Sequence, residues 1–168
     1  MTTVAVATLG CKVNQFESEA LMDALEQRGY ALVPFEGGAD VAIINTCTVT
    51  HRADFQSRQM VRRALRSNPN SLVIVTGCYP QVEPDAFLEM KGTLYLLGNK
   101  EKNQIPDLLP LMRKGKFPKV RIGDIQKEAP FSETSLHSFH RHTRAFLKIQ
   151  ESVVSIQNGP LRTFHSEF

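Results

Sequence analysis

The residues of this sequence best suited to chemistry are its three cysteines, Cys11, Cys47 and Cys78. No cysteine follows in the remaining 90 residues. Each of the three comes after a short apolar run, in the strings Thr8-Leu9-Gly10-Cys11, Ile44-Asn45-Thr46-Cys47 and Val75-Thr76-Gly77-Cys78. We therefore predict that each of the three thiols lies just beyond the end of a strand.

The elements that must position these thiols alternate along the first 122 residues. Apolar runs at 4–9, 41–44, 72–75 and 93–97 are typical of strands, and 119–122 is a candidate edge strand. Helical patterns lie between them, ending at Gly29 and covering 52–67, 84–90 and 101–113. Strand and helix alternating at these lengths indicate an α/β fold, with a parallel sheet of four to five strands and helices on both faces.

All strand carboxyl ends of a parallel sheet lie on one edge, where such folds bind ligands. If the three strands are near neighbours, thiols 36 and 31 positions apart meet there, and Gly10 and Gly77 allow close backbone approach. Zinc would need a fourth ligand, for which His51 is the nearest candidate. An iron–sulfur cluster on three thiolates would leave one iron open. The remaining alternative is a bare fold with three buried thiols.

Three polar residues lie beside the cysteines, namely Asn14, Asn45 and Gln81. Their side chains could hydrogen-bond cluster sulfurs or order the loops that carry the ligands. Asn14 has a further interpretation as the N-cap of the first helix, because Glu17 follows three residues later as in a capping box.

Arg58, Arg62 and Arg66 fall four residues apart and form a basic stripe on the second predicted helix. The guanidinium group of arginine can donate two parallel hydrogen bonds to phosphate oxygens, so the stripe is a candidate nucleic-acid contact. Its alternative is a solvated helix face.

Composition excludes several classes of protein. The chain is 42% hydrophobic and 22% charged, with 20 basic and 17 acidic side chains, which is ordinary for a globular protein. No apolar run is long enough to span a membrane, and the first residues do not resemble a secretion signal. Three cysteines without such a signal indicate a reducing compartment, and we expect a cytoplasmic protein.

The cysteine strings resemble the three signatures of the N-terminal domain of the radical S-adenosylmethionine methylthiotransferases. The resemblance covers about residues 3–150. Residues 47–64 are most similar to the branch that modifies threonylcarbamoyladenosine in tRNA.

The resemblance implies a flavodoxin-like domain in which the three cysteines hold one 4Fe-4S cluster, with an open iron for a sulfur donor. In the family a central barrel binds S-adenosylmethionine and a second cluster through a Cys-x-x-x-Cys-x-x-Cys motif. A further domain helps to bind the tRNA substrate, and no membrane is involved.

The chain departs from the family pattern near its end. Residues 142–150 resemble the approach to the radical motif, but Glu151 is followed by Ser152-Val153-Val154, and no cysteine follows. We expect a cluster-binding domain at 1–122, a linker at 123–144, and at 145–168 a truncated start of the radical domain with an unrelated tail. Such a chain is predicted to be inactive alone. The alternative function is a non-catalytic thiolate module for zinc or for sulfur or metal transfer.

Overall fold

A six-stranded parallel sheet organises residues 1–124, the part of the chain that the computed structural model describes. The strands are β1 (Thr3–Thr8), β2 (Ala31–Leu32), β3 (Val41–Thr46), β4 (Leu72–Gly77), β5 (Thr93–Leu97) and β6 (Val120–Arg121). The α-helices are α1 (Lys12–Gln27), α2 (His51–Ser67), α3 (Cys78–Val82), α4 (Asp85–Leu88) and α5 (Ile105–Arg113), with short 3₁₀ helices at Phe35–Gly37 and Lys102–Gln104. Most of the predicted linker and all of the predicted tail lie outside the described residues.

The strand order is β2-β1-β3-β4-β5-β6, and every neighbouring pair is parallel. The order 2-1-3-4-5 is that of flavodoxin-like doubly wound sheets, so the predicted α/β class is confirmed. The sheet has six strands, one more than the upper end of the predicted range of four to five. The missed strand is β2, which is only two half-buried residues long and carries no periodic pattern.

Two hydrophobic layers enclose the sheet, one on each face. On one face α1 and α5 pack Leu25 and Leu109 against strand residues such as Ile43. On the other face α2 and α4 pack Val61 and Phe87 against the opposite side chains of the same strands. All six residues of β3 and of β4 are buried, which explains why these strands appear in the sequence as continuous apolar runs.

The predicted helices are present, with one error at a helix start. Helix α1 begins at Lys12 with Cys11 as its N-cap, so Asn14 is the third helical residue and its predicted role as the cap was wrong. The side chain of Asn14 is buried and serves two backbone carbonyls instead. Helix α3 was missed because it has five residues and includes Pro80, which a first turn tolerates.

In the described residues, no helix combines the length and the apolar character that a transmembrane span requires.

Candidate metal centre

The three cysteines follow three strands that are direct neighbours in the sheet. Cys11 comes three residues after β1, whereas Cys47 and Cys78 come directly after β3 and β4. The register pairs Thr8 with Asn45 and Thr46 with Gly77. Continued by one or two residues, it sets Gly10 beside Cys47 and Cys47 beside Cys78. The adjacency required for a shared site is therefore met at the carboxyl edge.

Two glycines allow the cysteine loops to approach each other. Gly10 has φ +98°, and a Cβ built on it would lie 2.3 Å from Cys47 Cβ and 2.7 Å from Cys47 Sγ. Gly77 has φ +99°, and a Cβ there would lie 2.3 Å from the carbonyl oxygen of Thr46. Both positions combine a left-handed backbone with a contact that excludes any side chain. The Cys11 loop therefore lies directly on Cys47.

The sulfur atoms differ in exposure. Cys11 is exposed, Cys78 is half-buried and Cys47 is only 4% exposed, and all three are free thiols. A ligand at this edge would thus meet one thiol at the surface and one against the protein interior.

The thiols are close enough to influence one another electrostatically. Burial is the largest influence on Cys78 and raises the pKa of its thiol, and negative charge on Cys47 and Cys11 raises this pKa further. Lys102 is the strongest opposing influence, with a smaller contribution from a hydrogen bond with the Asn99 side chain. Negative charge on the other two cysteines therefore disfavours a thiolate at Cys78, and a positively charged inorganic core would relieve that repulsion.

Asn14 and Asn45 hold the first two cysteine loops together. The Asn14 amide donates to the carbonyl oxygens of Leu9 (2.9 Å) and Thr46 (3.0 Å). The Asn45 amide donates to the Asn14 carbonyl (3.1 Å) and the Ser18 hydroxyl (3.0 Å). Each amide has only two hydrogens to donate, and in both residues they are engaged within the protein. This arrangement favours ordering of the loops over hydrogen bonding to a cluster sulfur.

Two threonine hydroxyl groups add further hydrogen bonds between the strand ends at this edge of the sheet. Thr46 Oγ1 donates to the carbonyl of Thr76 at 2.7 Å, and Thr76 Oγ1 donates to the carbonyl of Gly98 at 3.3 Å. Neither threonine was predicted to contribute to the site. A sequence signal was available, because Thr46 directly precedes Cys47 and Thr76 directly precedes Gly77.

Gln81 fixes the third cysteine loop to the segments beyond β5 and β6. Its Nε2 donates to the carbonyl of Gly123 at 3.0 Å, and its Oε1 accepts from the backbone N–H of Asn99 at 3.1 Å. Among residues 1–124, this amide group, which has two hydrogens, donates one hydrogen bond.

The three arginines of the basic stripe differ in their surroundings. Arg58 is half-buried, donates to the Tyr79 hydroxyl and lies 5.8 Å from the centre of the Tyr79 ring. Arg62 and Arg66 are exposed and line an open groove of about 390 Å³ together with Lys91.

His51, the candidate fourth zinc ligand, is the first residue of α2 and is fully exposed. Its Nδ1 lies 3.9 Å from the Asp54 carboxylate. Within residues 1–124, no group of three or more His, Cys, Asp or Glu side chains is arranged to hold a single metal ion. A four-iron cluster makes a different demand, because its three thiolates bind three separate irons.

Comparison with known proteins gives a family match. A model described as "Uncharacterized protein family UPF0004" matches residues 3–98. The chain is 40% identical over 151 residues to "Threonylcarbamoyladenosine tRNA methylthiotransferase MtaB" of Bacillus subtilis, covering 90% of this chain and 34% of the relative. It is 39% identical over 148 residues to the protein of the same name from Aquifex aeolicus, covering 88% and 36%.

A third relative carries a different name. The chain is 29% identical over 159 residues to "tRNA-2-methylthio-N(6)-dimethylallyladenosine synthase" of Bartonella bacilliformis, covering 88% of this chain and 34% of the relative. The chain therefore spans about a third of the length of these relatives.

Replacing Gly10 by alanine should disrupt this edge. The new methyl group would meet Cys47 Sγ at 2.7 Å, in a backbone conformation that itself costs about 1–2 kcal/mol for a residue with a Cβ. We expect G10A to lower the free energy of unfolding, measured in urea, by more than about 2 kcal/mol.

Gly29→Ala is the matched control, because Gly29 has φ +80° but no atom within 4 Å of its built Cβ. This variant should lower the free energy of unfolding only by the cost of placing a residue with a Cβ in the left-handed backbone conformation. Equal losses of stability in the two variants would contradict the close packing of Gly10 on Cys47.

Proposed function

Since the chain belongs to protein family UPF0004, whose model matches more than half of it, we propose that it is the iron–sulfur-binding part of a tRNA methylthiotransferase. The observation that carries the proposal is the position of the cysteines, which follow the neighbouring strands β1, β3 and β4. The names of its relatives support the same activity, since they describe methylthio modification of adenosine in tRNA.

In this proposal Cys11, Cys47 and Cys78 hold one 4Fe-4S cluster, and Asn14, Asn45 and Gln81 order the loops that carry them. Three protein ligands leave one iron available to a sulfur donor. When bound, the cluster would carry at its open iron the sulfur that becomes the methylthio group. The chain's own contribution is to hold three thiols at one edge and to set their electrostatic environment.

The substrate of the complete enzyme would be threonylcarbamoyladenosine in tRNA, as the names of two of its relatives suggest. The reaction further requires S-adenosylmethionine and a second cluster, for which this chain offers no Cys-x-x-x-Cys-x-x-Cys motif. A tRNA substrate and free thiols both suit the reducing cytoplasm, which we infer to be the location.

Cluster binding is tested by reconstituting the 168-residue chain anaerobically with ferrous iron and sulfide. We expect about four irons and four sulfides per chain and broad absorbance near about 400 nm, because thiolate-bound iron gives intense charge-transfer bands. Each single Cys→Ala variant should lose most of its iron, since two thiolates hold the cluster poorly.

The control is Ser57→Ala, which alters a buried hydroxyl that donates to the Cys47 carbonyl at 3.4 Å without removing a ligand. Tight binding of zinc instead of iron, with no sulfide, would support the alternative of a non-catalytic thiolate module. Retention of iron by all three cysteine variants would contradict both proposals.

The isolated chain should not methylthiolate RNA. Substitution at an unreactive C–H bond needs a radical, and the residues that would bind the second cluster are absent from this sequence. Reconstituted chain, S-adenosylmethionine, reductant and tRNA carrying threonylcarbamoyladenosine should give no methylthio product by mass spectrometry. Any turnover above a no-enzyme control would contradict this expectation.

We also propose that Arg62 and Arg66 contact tRNA phosphates, while Arg58 mainly holds Tyr79. Replacing Arg66 by alanine should weaken tRNA binding and reduce the slope of log K against log salt by about 0.7–0.9, as for one lost phosphate contact.

The matched control for this test is Arg28→Ala, which removes one exposed arginine that is paired with Asp107 at 2.6 Å. Equal effects of R66A and R28A, measured by filter binding over a range of salt, would contradict a specific role for the stripe.

A further inference from the structure

The groove between α2 and the end of α4 has an apolar floor. Leu65 of α2 lines it together with Ala86 and Met90. All three side chains are half-buried and pack against the buried hydrophobic cluster on this face of the sheet. The core therefore holds the floor in place, while one side of the floor borders the open volume of about 390 Å³.

Four charged side chains form the rim of this groove. Arg62 and Arg66 belong to α2, and Glu89 and Lys91 follow α4. All four are exposed. Among residues 1–124, none of these four side chains makes a hydrogen bond or an ion pair. The rim therefore carries three positive charges and one negative charge that do not neutralise one another by contact.

Two other arginines of α2 have partners within the protein. Arg58 donates to the Tyr79 hydroxyl, and Arg63 lies 3.5 Å from the carboxylate of Glu36. The arginines that lack such an acceptor in the described part of the chain are thus the ones that line the groove. Their guanidinium N–H groups are available to an anion from outside.

An apolar floor below a positive rim suits a ligand that has one apolar face and a negatively charged part. The groove volume lies near the lower end of the range for small-ligand pockets, so it has room for one small unit. A nucleotide combines an aromatic base with phosphates. The Met90 thioether contacts aromatic rings favourably, and guanidinium groups bind phosphate oxygens with paired hydrogen bonds.

Glu89 adds selectivity to this groove. Its carboxylate accepts hydrogen bonds but donates none when ionised. An acidic peptide would place further carboxylates against it, which repel it and offer it no proton. A ribose offers hydroxyl groups, and its 2′-hydroxyl is the group that distinguishes RNA from DNA. The mixed rim therefore favours a ribonucleotide over an acidic protein segment.

We propose that this groove is a subsite for one unpaired ribonucleotide of an RNA strand, with the base on the apolar floor, the flanking phosphates at the basic rim residues and the ribose 2′-hydroxyl donating to Glu89. This inference rests on the proposed contact of Arg62 and Arg66 with tRNA and deepens it. The nucleotide is unpaired because stacking within a helix covers both faces of a base.

The floor is tested by fluorescence anisotropy with the 168-residue chain and a labelled, unpaired RNA of about ten nucleotides. Met90→Gln keeps the length of the side chain but makes the floor polar. The affinity should fall about fivefold or more, while the slope of log K against log salt stays at the parent value because the phosphate contacts remain. Met60→Gln is the matched control, since Met60 is a half-buried methionine that packs against the same cluster outside the groove, and it should keep the parent affinity.

The role of Glu89 is tested with the same sequence made as RNA and as DNA. The parent should bind the RNA about fivefold or more tightly, because only ribose can donate to the carboxylate. Glu89→Ala should bring the two affinities to within about twofold of each other. Glu83→Ala, which removes an exposed carboxylate outside the groove, should keep the parent preference.

Equal losses of affinity in M90Q and M60Q, or equal binding of RNA and DNA by the parent, overturn the inference. Displacement of the RNA by polyglutamate as effectively as by unlabelled RNA also overturns it, and assigns the groove to an acidic protein surface. If M90Q fails to fold by circular dichroism, the ratio of RNA to DNA affinity in E89A decides the question, because Glu89 is exposed.

The outcome also distinguishes this inference from the proposed function. A parent chain that binds duplex RNA as tightly as unpaired RNA overturns the subsite and leaves the phosphate contacts of the stripe intact. A parent chain that binds neither overturns the subsite and the tRNA contact together. Reconstitution with iron and sulfide decides cluster binding separately in every case.

Discussion

Parallel pairing of β1, β3 and β4 is the constraint on which the site depends. The three cysteines are separated by 36 and 31 positions, and only the register of these strands brings them to one edge. A slip of one residue between β1 and β3 would move Gly10 away from Cys47 and turn the apolar side chains of β1 to the opposite face. The hydrophobic layers on both faces therefore fix the register, and the register fixes the spacing of the thiols.

Much of this arrangement was predictable because buried parallel strands leave a strong sequence signal. Continuous apolar runs identified β3 and β4, and the cysteines after them pointed to the carboxyl edge. The adjacency of the three strands had to be assumed, since strand order depends on which face each connecting helix covers. Strand β2 and helix α3 escaped prediction because two and five residues are too few to show a period.

Errors at the site arise where one residue type serves two purposes. Asparagine is common at helix N-caps and is equally able to bridge distant carbonyls, and Asn14 does the latter across 32 positions. Lys102 gave no signal at all, because it lies in a charged stretch of sequence and its partner Glu17 is in another helix. Long-range polar pairs of this kind become visible only once the fold has been assembled.

Helix α2 relates the cysteine edge to the basic stripe. It begins four residues after Cys47 and runs back along the sheet, so Arg58 lies nearer to the cysteines than Arg66 does, by about 12 Å along the helix axis. Arg58 is held by Tyr79, which follows Cys78, and this contact joins the stripe to the third cysteine loop. The two exposed arginines, Arg62 and Arg66, therefore lie farther along α2 from the cysteine edge than Arg58 does.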